Sequence, residues 1–82
     1  MIEQLNEKLY NLYKVECIID GGDIEEIQAL TGYSRFTIWQ YLSGKGKSIS
    51  TADEIYRSAL DIAEQRRARI EKEDILNDYS KS

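Results

Sequence analysis

Hydrophobic residues recur along most of the chain at spacings of three and four, which is the period of an amphipathic helix. The first such segment, residues 2 to 19, predicts a helix with one broad apolar face packed on a core. The residues of that face are Ile2, Leu5, Leu9, Leu12, Tyr13, Val15 and Ile19. The sequence DGGD, residues 20 to 23, follows. Its two glycines predict the end of this helix and a turn of the chain.

A short second helix is predicted immediately after that turn. Asp23 and Glu26 have the three-residue spacing of a capping box, in which the two side chains accept hydrogen bonds from the free N–H groups of the first turn. The helix is therefore expected over residues 24 to 30. The residues expected to point inward are Ile24, Ile27 and Leu30.

A third helix is predicted over residues 35 to 43, about three residues beyond the second. Gly32 lies in the connecting turn, where a helix end needs a residue that tolerates a positive φ angle. Ser34 is in position to cap the N-terminus of the third helix. Ile38 and Leu42 are the predicted inward pair of this helix.

The last helix is predicted to be capped by Ser50 or Thr51 and to be apolar on one face up to about residue 63. That face consists of Ala52, Ile55, Tyr56, Ala59, Ile62 and Ala63. Residues 64 to 79 are much more charged and predict a solvated helical arm, with packing on a second subunit as the alternative. The arginines interpreted as part of an ion-paired face are Arg66, Arg67 and Arg69.

Composition agrees with an all-α protein, which we expect to be one domain over residues 1 to 82. The 82 residues include no proline, 41% are hydrophobic and 32% are charged. With one cysteine, Cys17, and no histidine, the usual zinc sites and nucleophile–histidine pairs cannot form. We therefore expect no metal, no cofactor and no enzymatic activity. The sequence also predicts neither a signal peptide nor a membrane span, which favours a cytoplasmic protein.

The net charge of −4 is unevenly distributed along the chain. Residues 1 to 26 contain seven acids and two bases, and residues 53 to 82 contain eight acids and six bases. Residues 27 to 52 contain three bases, Arg35, Lys45 and Lys47, and no acid. A local excess of positive charge is what a nucleic-acid contact needs, so the distribution matters more than the total.

Two short helices joined by a glycine-containing turn form the helix-turn-helix pattern. Residues 23 to 50 resemble the DNA-binding headpiece of the lac repressor family in the order and spacing of helices, turn and exit. The residues that carry this resemblance are Ile24, Ile27, Gly32, Ser34, Thr37, Ile38, Leu42, Gly44 and Lys45. Gln28 and Thr31 depart from it, because that family usually has small alanines where the two helices cross.

The additional N-terminal helix makes the order of elements similar to that of small phage-type repressors, in which a first helix braces the motif. This resemblance implies a four-helix helix-turn-helix domain with its motif over residues 23 to 44 and a long C-terminal helix. It also implies a sequence-specific regulator of transcription, most simply a repressor from a phage or mobile element. Such a protein binds double-stranded DNA as a homodimer.

In this motif the third helix enters the major groove by its N-terminal end. The residues expected to read bases are Arg35, Phe36, Trp39 and Gln40. Arg35 suits guanine, Gln40 suits adenine, and Phe36 suits a thymine methyl group. The residues expected to contact phosphate are Ser34, Thr37, Lys45 and Lys47. Trp39 and Tyr41 also fit positions that support the core from the edge of the inward face, and Tyr33 fits either a core plug or a phosphate ligand.

The alternative function is a protein-interaction module with a helix-turn-helix shape. Phe36, Trp39 and Tyr41 would then be aromatic anchors on a protein partner, because buried aromatic side chains supply much of the energy of such interfaces. The acidic net charge favours this interpretation. An antitoxin-like protein and a phage assembly or packaging component belong to this class.

Overall fold

The backbone of residues 1–81 and the side chains of residues 1–68 are described by a computed structural model. Within that part of the chain the fold is all-α, as predicted, and it contains four α-helices and no strand. The helices are α1 (Ile2–Tyr10), α2 (Asp23–Thr31), α3 (Arg35–Leu42) and α4 (Ile49–Lys81). Helix α4 follows a short loop after α3 and contacts all three preceding helices.

The N-terminal helical segment changes its winding before it ends. After α1, residues Asn11–Val15 form a π-helical turn, and the Glu16 N–H donates to the Asn11 carbonyl at 2.7 Å. The wider turn rotates later residues away from the face that an α-helix would continue. Val15 is therefore exposed, and its predicted place on the apolar face is wrong. The helical segment ends at Val15, so its predicted extent to residue 19 is wrong. Cys17, with a φ angle of 54°, lies beyond that end.

The turn between α2 and α3 has the predicted local structure. Gly32 has a φ angle of 82°, and its N–H donates to the Gln28 carbonyl at 2.8 Å. Ser34 caps α3, because its Oγ accepts a hydrogen bond from the Thr37 N–H at 3.2 Å. Both features depend on residue types that suit a single backbone position, so the sequence identified them.

Two predictions for α2 are wrong. The helix begins at Asp23 itself, and no side chain caps its N-terminus, so the capping box with Glu26 is absent. Leu30 is 58% exposed, because the part of α4 that it faces presents the polar side chains of Glu54 and Arg57. Ile24 and Ile27 alone of the predicted inward residues reach the core.

Helix α4 begins one residue before the predicted caps. Ser48 precedes it, and the Thr51 N–H lies 3.5 Å from the Ser48 Oγ, so Ser50 and Thr51 belong to the first turn instead of capping it. The 33 residues of α4 correspond to about 50 Å of helix. The predicted apolar face up to residue 63 is confirmed. The prediction about packing of the arm concerns residues from Arg69 onward, and their side chains lie outside the described part of the structure.

All four helices and the loop after the π-helical turn contribute to the core. Its buried residues are Leu9, Leu12, Ile19, Ile24, Ile27, Ile38, Tyr41, Leu42, Ala52, Ile55, Ala59, Ile62 and Ala63. The loop after α3 is fixed to this core: Asn6 Nδ2 donates to the Gly46 carbonyl at 2.9 Å, and Gly46 lies against the ring of Tyr41. A side chain at position 46 would collide with that ring.

Among the described residues, no helix combines the length and the apolar character needed to cross a membrane.

Candidate nucleic-acid interface

Helix α3 has a closed side and an open side. Ile38 and Leu42 are fully buried on the closed side, as predicted. Tyr41 is only 6% exposed, and its hydroxyl oxygen accepts a hydrogen bond from the Ser48 N–H at 3.0 Å. Tyr41 is therefore part of the core, as one of its two interpretations expected, and it does not serve as an exposed anchor in the alternative function.

The open side of α3 presents two aromatic rings. Phe36 is 71% exposed and Trp39 is 43% exposed, so the interpretation of Trp39 as a core residue is wrong. Their ring centroids lie 6.4 Å apart at an interplanar angle of 35°, within the usual range for an aromatic pair. We call Phe36 and Trp39 the ring pair. A single exposed apolar residue is ordinary, whereas adjoining ones indicate a contact surface.

An apolar groove of about 510 Å³ adjoins the ring pair. Its other wall comes from the N-terminal segment and the start of α2. The residues that line it are Tyr13, Gly21, Ile24, Arg35, Phe36 and Trp39. The ring pair and Arg35 therefore belong to one continuous surface, which extends from α3 to the preceding elements.

Arg35 lies at the first position of α3 and is mostly exposed. Its Nη1 is 3.9 Å from Glu25 Oε1, and both side chains are in contact with solvent. An ion pair with this exposure contributes little, so the guanidinium group can exchange this carboxylate for another acceptor at small cost. Five N–H donors in a planar fork suit guanine O6 and N7.

The remaining polar side chains of α3 are partly engaged within the chain. The Ser34 hydroxyl donates to Thr37 Oγ1 at 2.9 Å and also accepts from the Thr37 N–H, so the cap occupies it. Gln40 is half-buried, and its Nε2 donates to the Lys45 carbonyl at 3.4 Å. These bonds are local and weak at the surface, but they turn Ser34 and Gln40 toward the protein.

Lys45 and Lys47 are exposed on either side of Gly46, in the loop that follows α3. Because the Gly46 carbonyl is held by Asn6, the two lysines extend from an anchored part of the backbone. The structure thus places Arg35 at one end of α3 and the two lysines beyond the other end. This arrangement leaves both lysines exposed, as the predicted phosphate contacts require.

Tyr33 connects the turn before α3 to α4. It packs against the core, and its hydroxyl donates to Glu54 Oε2 at 2.6 Å. That hydrogen bond raises the pKa of Tyr33 above its ordinary value of 10.0, because the neutral phenol donates to the carboxylate. Of the two interpretations left open for Tyr33, the geometry favours core packing, since the hydroxyl is already bonded to an acid.

A partly buried ion pair between α2 and α4 was not predicted. Asp23 is 4% exposed and accepts from Arg66 Nη1 and Nη2 at 2.5 and 2.6 Å, while Nη1 also donates to the Ile18 carbonyl at 2.7 Å. The hydrogen bonds to Asp23 raise the pKa of Arg66 further. Arg66 thus fixes α4 to the start of α2. Arg67 lies 3.3 Å from Glu16, and its predicted partner Glu71 lies outside the described side chains.

Comparisons with protein-family models, with curated proteins and with solved structures found no match to this chain. The functional interpretation therefore depends on the geometry of α3 and its surroundings. Within the described residues, no group of three or more histidine, cysteine, aspartate or glutamate side chains is placed to hold a metal ion.

Proposed function

We propose that this protein is a sequence-specific, double-stranded DNA-binding regulator of transcription, most simply a repressor. Helix α3 is the element that enters the major groove. The observation that carries the proposal is the open side of α3, where Arg35, Phe36 and Trp39 are exposed on the first two turns of a helix that follows a three-residue turn. The first turns of a helix that carries these side chains and no acidic residue of its own suit base edges flanked by phosphates.

The order of the helices supports the same proposal. Helices α2 and α3 are joined by residues 32 to 34, with a left-handed glycine and a serine cap, as the resemblance to the lac repressor headpiece requires. As a homodimer, the protein would present two α3 helices to successive major grooves about 34 Å apart. Arg35, Lys45 and Lys47 would supply three cations from each subunit.

Selection of duplexes from a random DNA pool tests this function. We expect an enriched palindromic sequence whose binding weakens steeply between about 50 and 200 mM salt, because each phosphate contact releases counterions. Arg35→Ala should remove the preference at one base pair in each half-site. Arg57→Ala is the matched control, since Arg57 pairs with Asp53 at 3.0 Å on α4. The proposal would be refuted if no DNA sequence were enriched from the pool and if any binding to DNA did not change with salt concentration.

A protein-interaction module is the second candidate, and the apolar groove beside the ring pair favours it. Its anchors would be Phe36 and Trp39, without Tyr41. An antitoxin-like protein or a phage assembly component would behave in this way. The test is capture of a protein partner at a fixed stoichiometry. Loss of that partner in Phe36→Ala and its retention in Leu30→Ala, together with no binding to DNA, would favour this function over the first. Leu30 is a suitable control because it is a similarly exposed apolar residue on α2.

A further inference from the structure

The open side of α3 offers more apolar surface than hydrogen-bonding groups. Of its polar side chains, Ser34 is occupied by the helix cap and Gln40 is turned toward the Lys45 carbonyl. Arg35 is the polar group with the weakest attachment, at 3.9 Å from Glu25. The ring pair, in contrast, is exposed at the centre of this surface.

An apolar surface in the major groove has one chemical complement. Base edges there present hydrogen-bond donors and acceptors, and the only apolar group is the 5-methyl group of thymine, which 5-methylcytosine shares. A ring that covers this methyl group removes it from water, whereas a ring placed over a donor or acceptor leaves a polar group without a partner. Exposed rings in the major groove therefore favour methylated pyrimidines over other base edges.

The spacing of the side chains fits adjacent base pairs. Phe36 and Trp39 are three residues apart, which is about 4.5 Å along a helix, compared with about 3.4 Å between stacked base pairs. Arg35 precedes Phe36 directly and lies one helical turn from Trp39. A guanine read by Arg35 would thus lie next to the methylated pyrimidine that the rings cover.

We infer that the protein selects its DNA site mainly through the 5-methyl group of a pyrimidine, covered by Phe36 and Trp39, beside a guanine bound by Arg35. This inference rests on the proposed function, because it requires that α3 enters the major groove. Hydrogen bonding by Gln40 has a minor part in the selection.

The test begins with a duplex obtained by selection. Each thymine is replaced in turn by deoxyuridine, which keeps the O4 acceptor and lacks the methyl group. At one or two positions next to guanine, we expect the dissociation constant to rise about fourfold for each methyl group that is removed. This factor corresponds to the free energy gained when one methyl group is buried. In a second arm, 5-methylcytosine replaces each cytosine that precedes guanine. If the affinity rises in this arm and deoxyuridine has no effect in the first, the recognised methyl group belongs to 5-methylcytosine and not to thymine.

Protein variants assign the effect to the ring pair. Phe36→Ala should weaken binding to the thymine duplex and abolish the difference between thymine and deoxyuridine, whereas Leu30→Ala should preserve it. Both positions are exposed, so both variants should keep the wild-type circular dichroism spectrum. A selected duplex whose binding responds to neither exchange would overturn this inference and leave the proposed function intact. Failure to select any duplex would overturn both.

Discussion

The two sides of α3 carry aromatic residues of similar size in opposite environments. Tyr41 is packed against Gly46 and hydrogen-bonded to the backbone of Ser48, while Phe36, five residues earlier, is largely exposed. Five residues correspond to about 500° of rotation, so these two side chains point in clearly different directions. Register on the helix, not hydrophobicity, therefore separates a structural aromatic residue from one that is available for binding.

The first turn of α2 repeats this contrast with charged residues. Asp23 is buried and is held by both terminal nitrogens of Arg66, whereas Glu25 is exposed and only approaches Arg35. A buried carboxylate depends on its partner, because water cannot replace the lost hydrogen bonds. The first pair holds the fold together, and the second leaves Arg35 free to bind another group.

The largest expected difference comes from truncating the two aromatic residues. Tyr41→Ala should lower the free energy of unfolding by about 3–5 kcal/mol, as for other large aromatic residues removed from a core. Phe36→Ala should change it by less than about 0.5 kcal/mol. Urea unfolding followed by circular dichroism measures both. If Tyr41→Ala does not fold, Tyr41→Phe, which loses only the bond to Ser48, should still cost about 1 kcal/mol. Equal losses for Phe36→Ala and Tyr41→Ala would mean that Phe36 is covered in solution.

The arginine pairs should differ by a smaller amount. Arg66→Ala should cost about 2 kcal/mol, because the buried Asp23 carboxylate loses both nitrogens of Arg66 and keeps the Asp20 N–H, and the Ile18 carbonyl loses its Arg66 donor. Arg35→Ala should cost less than about 0.5 kcal/mol. Arg66→Lys should restore only part of the loss, since an ammonium group cannot form the two-pronged bond. Urea unfolding at neutral pH is again the measurement, and similar values for Arg66→Ala and Arg35→Ala would refute this distinction.

The elements that the sequence predicted correctly depend on local signals. Gly32 and Ser34 suit single backbone positions, and the pair of Ile38 and Leu42 follows from the helical period alone. The apolar face of α4 to residue 63 is equally local. In each case the evidence lies within about one helical turn, so no knowledge of the remaining chain is needed.

The features that the sequence did not reveal depend on distant partners. Asp23 at a helix start fits a cap as well as an ion pair, and its partner Arg66 lies 43 residues away. The exposure of Leu30 depends on which side chains α4 places opposite it, and that of Trp39 depends on the groove beside α3. The π-helical turn that displaces Val15 has no clear signature in residue types.

The smallest expected effect concerns Tyr33, which links the turn before α3 to α4 through Glu54. Because this bond raises the pKa of Tyr33 in the folded state, its stabilising effect is fully present below pH 10.0 and is lost as the pH rises through the folded-state pKa. Thermal unfolding of wild type and Tyr33→Phe should therefore give a difference in Tm that is constant at neutral pH and shrinks in strong alkali. Glu54→Gln should bring the pKa of Tyr33 back toward its ordinary value, measured by ultraviolet titration. A difference in Tm that stays constant through the alkaline range would show that the bond to Glu54 does not stabilise the turn in solution.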